Sequence, residues 1–339
     1  MSAQSDHTNG VGRVGIGHWV RTRRVTPAAV LLAVTLTASL AAGCGGPGRD
    51  GDDHTPRHTP TRPGHASVAG SPLAVKIDNV RAARPQTGLG AADVVYVEQV
   101  EGGLSRLLAV YATRLPKSVG PVRSARESDL ELLRQFHLPT LAFSGAQRAL
   151  LPLIDRAPLR ARSPDAAPGA YYRDTGRAAP HNLYLRPAAL LPAAPGKAAL
   201  TTGFPYGPAP AGGTPVSSRT VRYPAARLAF TWSAGRSGWL VSLDGEPALS
   251  TDSARPAPPT VVVQYVEIRT SPYHDVLGSP TPYTETVGSG RAQVLRDGRS
   301  FDASWSRPAA SDGTAFTAAD GGPMAFAAGQ VWVVYAPAR

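Results

Sequence analysis

The chain has one cysteine, Cys44, and it stands ahead of every stretch patterned to fold. Neither a disulfide nor a zinc–thiolate site is open to the body that follows, so burial of apolar side chains has to hold it. Length permits this, because about 270 residues lie beyond the polar stretch after Cys44, enough for two ordinary domains. Hydrophobic residues make up 42% of the sequence and charged residues 17%, the balance of a globular body.

Arg21, Arg23 and Arg24 precede an apolar run, Ala28 to Ala42, which ends on Gly43-Cys44. A positive segment, a short apolar segment and small residues are the layout of a secretory signal. The run is shorter than the about 20 residues that span a hydrocarbon core, so it reads as a signal and not a stem. Ser39-Leu40-Ala41-Ala42-Gly43-Cys44 resembles a lipobox, in which the cysteine thiol is fatty-acylated and becomes the first residue; Leu40 lies four positions before the cysteine, where the usual pattern has three. The expectation is removal of residues 1–43 and a lipidated Cys44 that anchors the protein to the extracytoplasmic face of a membrane. The alternative is plain cleavage nearby, leaving a free thiol that is unusual in a secreted protein. Arg23-Arg24 also suggests twin-arginine export, but Val25-Thr26-Pro27 departs from that signal's pattern. Residues 1–20 form a long polar leader of the kind produced by a start codon placed too early.

Residues 44–71 are rich in Gly, Pro, Asp and Thr without hydrophobic periodicity, and are expected to be a flexible tether. His54, His58 and His65 lie in it, yet a disordered trio has no surrounding shell to orient ligands, so neither metal nor other cofactor is expected. The formal charge is +11, and removal of residues 1–43, which hold four arginines and one aspartate, leaves +8. That sign favours anionic partners: acidic headgroups, an anionic wall polymer or an acidic envelope protein. Nucleic acid is not expected, because the arginines are dispersed and no stacking aromatics interleave with them.

The folded part reads as α+β, with a mixed α/β N-terminal domain over 72–192, a linker over 193–215 and a mostly β C-terminal domain over 216–339. Leu73 to Asp78 and Ala92 to Val100 are strands; Glu101-Gly102-Gly103 turns the second into a partner from Ser105 to Thr113. Ser124 followed by Glu127 fits a capping box, with Leu130, Leu133 and Phe136 continuing at helical spacing. A strand over 138–144 and a short helix over 146–154 follow. Beyond the linker, strands are expected near 227–232, 239–243, 260–268, 291–295 and 331–335, with Arg296-Asp297-Gly298-Arg299 as a hairpin turn.

Several motifs then carry a resemblance. Leu73-Ala74-Val75-Lys76-Ile77-Asp78-Asn79, Ala83-Arg84-Pro85-Gln86-Thr87-Gly88-Leu89, Ala92-Asp93-Val94-Val95-Tyr96, Glu101-Gly102-Gly103-Leu104-Ser105-Arg106, Gly120-Pro121-Val122-Arg123-Ser124-Ala125-Arg126 and Pro180-His181-Asn182-Leu183-Tyr184 are similar to successive blocks of the YerB-like lipoproteins. The likeness continues through Val261 to Tyr265, Val287 to Arg291, Trp305 and Gly329 to Trp332, covering nearly all of 72–336. It implies paired N- and C-terminal family domains on an exported, lipid-anchored chain, and it implies no known reaction.

Function has to be read from the polar residues themselves. Asp78, Arg84, Glu98, Glu101, Arg106, Arg123 and Arg126 form the densest cluster, with His181 and Asn182 nearby in pattern. One reading is an anion-binding site made by Arg123, Ser124 and Arg126 at a helix start, with Arg84, Arg106, His181 and Asn182 beside them. The competing structural reading pairs these arginines with Asp78, Glu98 and Glu101 in a buried ion network. The rival activity is a cell-wall glycan hydrolase using Glu98 and Glu101 as paired carboxylates, which requires a turn at Val100 because their odd spacing places them on opposite faces of a regular strand. Ser144-Gly145 lacks a nucleophile-elbow pattern, and Gly288-Ser289-Gly290 is no phosphate loop. Trp232, Trp239, Trp305 and Trp332 are expected to be core rather than sugar platforms.

Overall fold

The computed structural model of the protein describes residues 70–275 and 278–338; Cys44, the signal, the tether and its histidines lie outside them. Among the described residues no helix is long and apolar enough to cross a membrane. The first part contains β1 (Leu73–Asp78), β2 (Val94–Gln99), β3 (Ser105–Tyr111), β4 (Thr140–Ala142), β5 (Arg160–Arg162), β6 (Tyr171–Arg173) and β7 (Leu183–Leu185), with two short helices, α1 (Glu127–Leu133) and α2 (Leu151–Arg156). The second part adds β8 (Thr214–Pro215), β9 (Ser218–Arg222), β10 (Arg227–Ser233), β11 (Gly238–Leu243), β12 (Glu246–Pro247), β13 (Thr260–Val266), β14 (Ile268–His274) and β15 (Pro280–Thr284). It closes with β16 (Gly288–Arg296), β17 (Arg299–Arg307), β18 (Ala315–Ala318) and β19 (Val331–Pro337).

The protein is mostly β. The expected α/β layering of the first part comes down to α1 and α2, seven and six residues long, laid on one face of a sheet. One 11-stranded sheet runs through both parts in the order β18-β17-β16-β13-β19-β2-β3-β1-β4-β5, with β8 pairing on β17. The last strand joins them: β19 lies parallel to β13 on one side and parallel to β2 on the other. The two sequence blocks therefore share a single sheet.

Both faces of that sheet are covered, which explains why its central strands read as continuous apolar runs rather than alternating ones. One face carries Leu73, Val75, Ile77, Val95, Val97, Trp332 and Val334, packed under the small sheet β12-β11-β10-β9 through Leu228, Phe230, Trp239 and Val241. The other carries Ala74, Tyr96, Leu108, Val110, Val333 and Tyr335, packed under Leu132, Leu133 and Phe136 of the α1 region and under Phe316 and Phe326. Trp239, Trp305 and Trp332 are buried core rings, and Trp232 is half-buried and packs beside Trp239.

Local signals explain the turns. Gly102 and Gly103 have φ of 65° and 71°, and Asp297 and Gly298 have φ of 52° and 70° in the two-residue turn that joins β16 to β17. Those left-handed values are what a tight hairpin with twisted arms requires. The helix start differs from the sequence expectation. The residue before the first turn is Arg126, and the carboxylate of Asp129 accepts its N–H at 2.7 Å, so Asp129 fills the role assigned to Glu127. Ser124 lies before the helix, its Oγ 3.4 Å from that of Ser144.

Candidate functional site

The polar residues of the sheet sit at one end of its second face. Asp78 of β1 is the cross-strand neighbour of Arg106 on β3, which is in turn the neighbour of Glu98 on β2. Arg123 reaches this row because its segment is strapped alongside β1: its N–H donates to the Lys76 carbonyl at 2.8 Å, and its own carbonyl accepts from Ser144 N–H at 3.0 Å. Gly120 allows the close approach, since a Cβ there would stand 3.0 Å from the Leu183 carbonyl oxygen and 2.6 Å from the Tyr184 ring.

A cavity of about 450 Å³ opens at this end. Its wall includes Glu101, Arg106, Arg123, Ser124 and Arg126 from the first part, and Tyr273, His274 and Thr281 from β14 and β15. Sequence reading missed the second group. Nothing in its pattern marks it, because only the tertiary fold brings that hairpin over the turn at Glu101.

The arginines differ in how far they are satisfied. Arg126 grips Glu101 with both forks, Nε to Oε1 and Nη2 to Oε2 at 2.7 Å each, while Nη1 donates to the carbonyls of Ser124 and Ala125. Thr281 Oγ1 adds a donor to Glu101 Oε1 at 2.6 Å. Burial works to raise the Glu101 carboxyl, but the hydrogen bonds and charge of Arg126 outweigh it and hold the group below its ordinary value. This pair is a clamp.

Arg106 is different. Its side chain is 9% exposed, its closest carboxylate oxygen is Asp78 Oδ1 at 3.7 Å, and neither Nε nor Nη1 has a hydrogen-bond partner. Burial, together with the neighbouring Arg126 and Arg123, pulls its guanidinium down to about 10 against the pull of Asp78. Arg123 keeps Nε 3.1 Å from Asp78 Oδ2, an ion pair without hydrogen-bond alignment, and its side chain is 26% exposed. Asp78 is thus shared by Arg106, Arg123 and His181, whose Nδ1 lies 2.9 Å from Asp78 Oδ2. Glu101, Glu127 and Asp275 line the cavity with the three arginines, and within that wall Arg106 keeps Nε and Nη1 without a hydrogen-bond partner.

The remaining predicted residues stand elsewhere. Arg84 is held by Asp244 at 2.7 Å and by the carbonyls of Asn79 and Leu243, which pins β1 to the small sheet. Asn182 accepts from Arg173 at 2.7 Å and donates to the Arg177 carbonyl, tying a loop together. Neither lines the cavity. Glu98 does not either: it is 1% exposed and bonded to Lys76, while both oxygens of Glu101 are occupied by Arg126. The two carboxyls do not converge on a common groove, and the accessible one is held ionised, the opposite of a general acid.

The chain matches two family models. The N-terminal domain of the protein of unknown function DUF3048 matches residues 59–200, and the C-terminal domain of the same family matches 219–333. Over 65 residues the chain is 46% identical to a Bacillus subtilis (strain 168) protein named "Putative lipoprotein YerB", a match that spans 19% of this chain and 20% of that one. The crystal structure of YerB protein from Bacillus subtilis superposes with a TM-score of 0.64 at 21% identity, covering 79% of this chain and 91% of that chain, a likeness of fold.

Proposed function

Because the chain belongs to the DUF3048 family of unknown function, we propose from the chemistry of its cavity that it is a lipid-anchored envelope protein that binds an anionic ligand around Arg106 and Arg123. One observation carries the reading: a nine-tenths-buried guanidinium lines an open cavity with two donors that no protein group takes up. A buried cation without hydrogen bonds is costly unless something completes it. A carboxylate or phosphate group in the cavity brings negative charge to this guanidinium and acceptors for charge-assisted hydrogen bonds. The helix end is not needed for this, since α1 is only seven residues long and the N–H of Arg126 at its start is taken by Asp129.

Calorimetric titration of the protein with inorganic phosphate and with an anionic wall polymer tests the reading. Arg106→Met is expected to weaken binding roughly ten- to a hundredfold, the equivalent of about 1.5–3 kcal/mol for charge-assisted hydrogen bonds. Arg81→Ala, which removes the same charge from an exposed site, is expected to leave it unchanged. Equal losses in both variants would reduce the site to net charge.

Anchoring is tested separately. Cys44→Ala is expected to abolish incorporation of a labelled fatty acid and move the protein out of the membrane fraction, because one thiol provides the only attachment point of this kind. Retention of the label in that variant would remove the anchor.

A further inference from the structure

Next to the cavity, and separated from it, three ionisable side chains are sealed from water: Lys76 and Asp129 at 0% exposure and Glu98 at 1%. They come from β1, α1 and β2. Lys76 Nζ lies 2.6 Å from Asp129 Oδ1 and 3.1 Å from Glu98 Oε2, while Glu98 Oε1 has no partner. Leu108, the cross-strand neighbour of Lys76, belongs with Tyr96, Leu132 and Leu133 to the apolar cluster on this face.

Two carboxyls around one ammonium leave this dry site with a charge excess and an idle oxygen, a poor arrangement for an ion pair. Glu98 Oε2, 3.1 Å from Lys76 Nζ, is placed to take a proton from it, and Oε1 has no partner to compete for one. Burial pushes Glu98 above the ordinary carboxylate range despite Lys76, which suits it to carry a proton. A desolvated lysine is a nucleophile. A nitrogen in hydrogen-bond contact with a carboxyl oxygen is near the about 3–3.5 Å from the carboxyl carbon that defines a near-attack geometry.

We propose that Lys76 and Asp129 condense into an intramolecular isopeptide bond, with Glu98 carrying the protons. The Nζ–Cγ bond forms and the Cγ–Oδ1 bond breaks. Of the three ammonium protons, one stays on the amide nitrogen, and two leave with Oδ1 as water by way of Glu98, which ends unchanged. No oxidant or activating group is consumed. Asp129 Oδ2 remains as the amide oxygen and keeps its bond from Arg126 N–H, 2.7 Å in the unlinked geometry. The link ties β1 to α1 across 53 residues, in a body that no disulfide can staple.

Peptide mass mapping of the purified, denatured full chain decides it. The expected result is one branched peptide joining the segments that hold Lys76 and Asp129, lighter than their sum by one water, with no tryptic cleavage after Lys76. Glu98→Gln, shown folded by circular dichroism, is expected to release the two segments unlinked. Recovery of the wild-type segments as separate peptides, with cleavage after Lys76, overturns the proposal without recourse to any variant. A fully linked Glu98→Gln protein overturns the role given to Glu98.

Discussion

Replacing Lys76 with methionine is expected to cost the fold about 3–5 kcal/mol, the scale for removing one partner of a buried ionic cluster. The side chain has no exposure, and its loss removes the Nζ that Glu98 and Asp129 both contact, together with the link proposed for it, and leaves the two carboxyls facing each other. Guanidinium unfolding followed by circular dichroism would report this as a lower midpoint at unchanged slope. Adding Glu98→Gln and Asp129→Asn to the same chain is expected to recover part of the loss, because it removes the charges that were stranded and keeps an acceptor for Arg126 N–H. Acid gives a second handle. Burial, the largest influence on Glu98, raises its carboxyl from 4.5 to about 7 in the folded protein. A folded pKa above the unfolded one means that the native state binds more protons across that window, so stability falls as pH climbs from 4.5 to about 7. Without Lys76 to oppose it, the rise is larger, and the variant should be least impaired at the acid end. A loss under about 1 kcal/mol for Lys76→Met would show that the cluster is not holding this face together.

The strands were legible because the cue is local. Val331 to Tyr335 is an unbroken apolar run, Leu73 to Asp78 is interrupted only by its two charged residues, and Gly102-Gly103 and Asp297-Gly298 supply the left-handed backbone that hairpins need. The helix start lies two residues later than expected because Ser124-Glu127 and Arg126-Asp129 are equally spaced acidic patterns, and only the strap that holds Arg123 against β1 selects the second. Arg106, Arg123 and Arg126 were identified from their clustering, and the fold brings them to one wall. What sequence could not give is which guanidinium stays unsatisfied. That depends on Glu101 swinging toward Arg126 and Thr281, a matter of side-chain reach across the two parts of the chain. In the sequence Lys76 reads as a strand residue only. Its alternation with Asp78 in a strand buried on both faces was the available signal that a charge had to be met inside.

Neither sequence block is expected to fold alone, and this is the largest effect the architecture implies. Ending the chain after Ser217 leaves β2 as a bare edge on the side where β19 pairs in register from Val331↔Val94 to Val334↔Val97. It also strips the small sheet from Val75, Ile77, Val95 and Val97. Buried polar ties are cut with it: Arg307 donates to the Glu131 and Leu132 carbonyls at the end of α1, and Gln330 to the carbonyls of Leu89 and Ala92. The last strand alone carries Val331, Trp332, Val333, Val334 and Tyr335, each no more than 2% exposed. At about 1.5–3 kcal/mol per buried side chain these rival the about 5–15 kcal/mol by which a typical domain is stable. Deleting residues 331–339 should therefore abolish cooperative unfolding and send the product to the insoluble fraction, since the exposed edges of β2 and β13 invite pairing between chains. Co-expression of 70–217 with 218–339 should restore soluble material as a complex recoverable through a tag on either piece. A fragment of 70–217 that by itself shows dispersed amide resonances and a sharp thermal transition would mean that the shared sheet is a docking of two independent bodies, and the cavity at their junction would then have to be read as an interface.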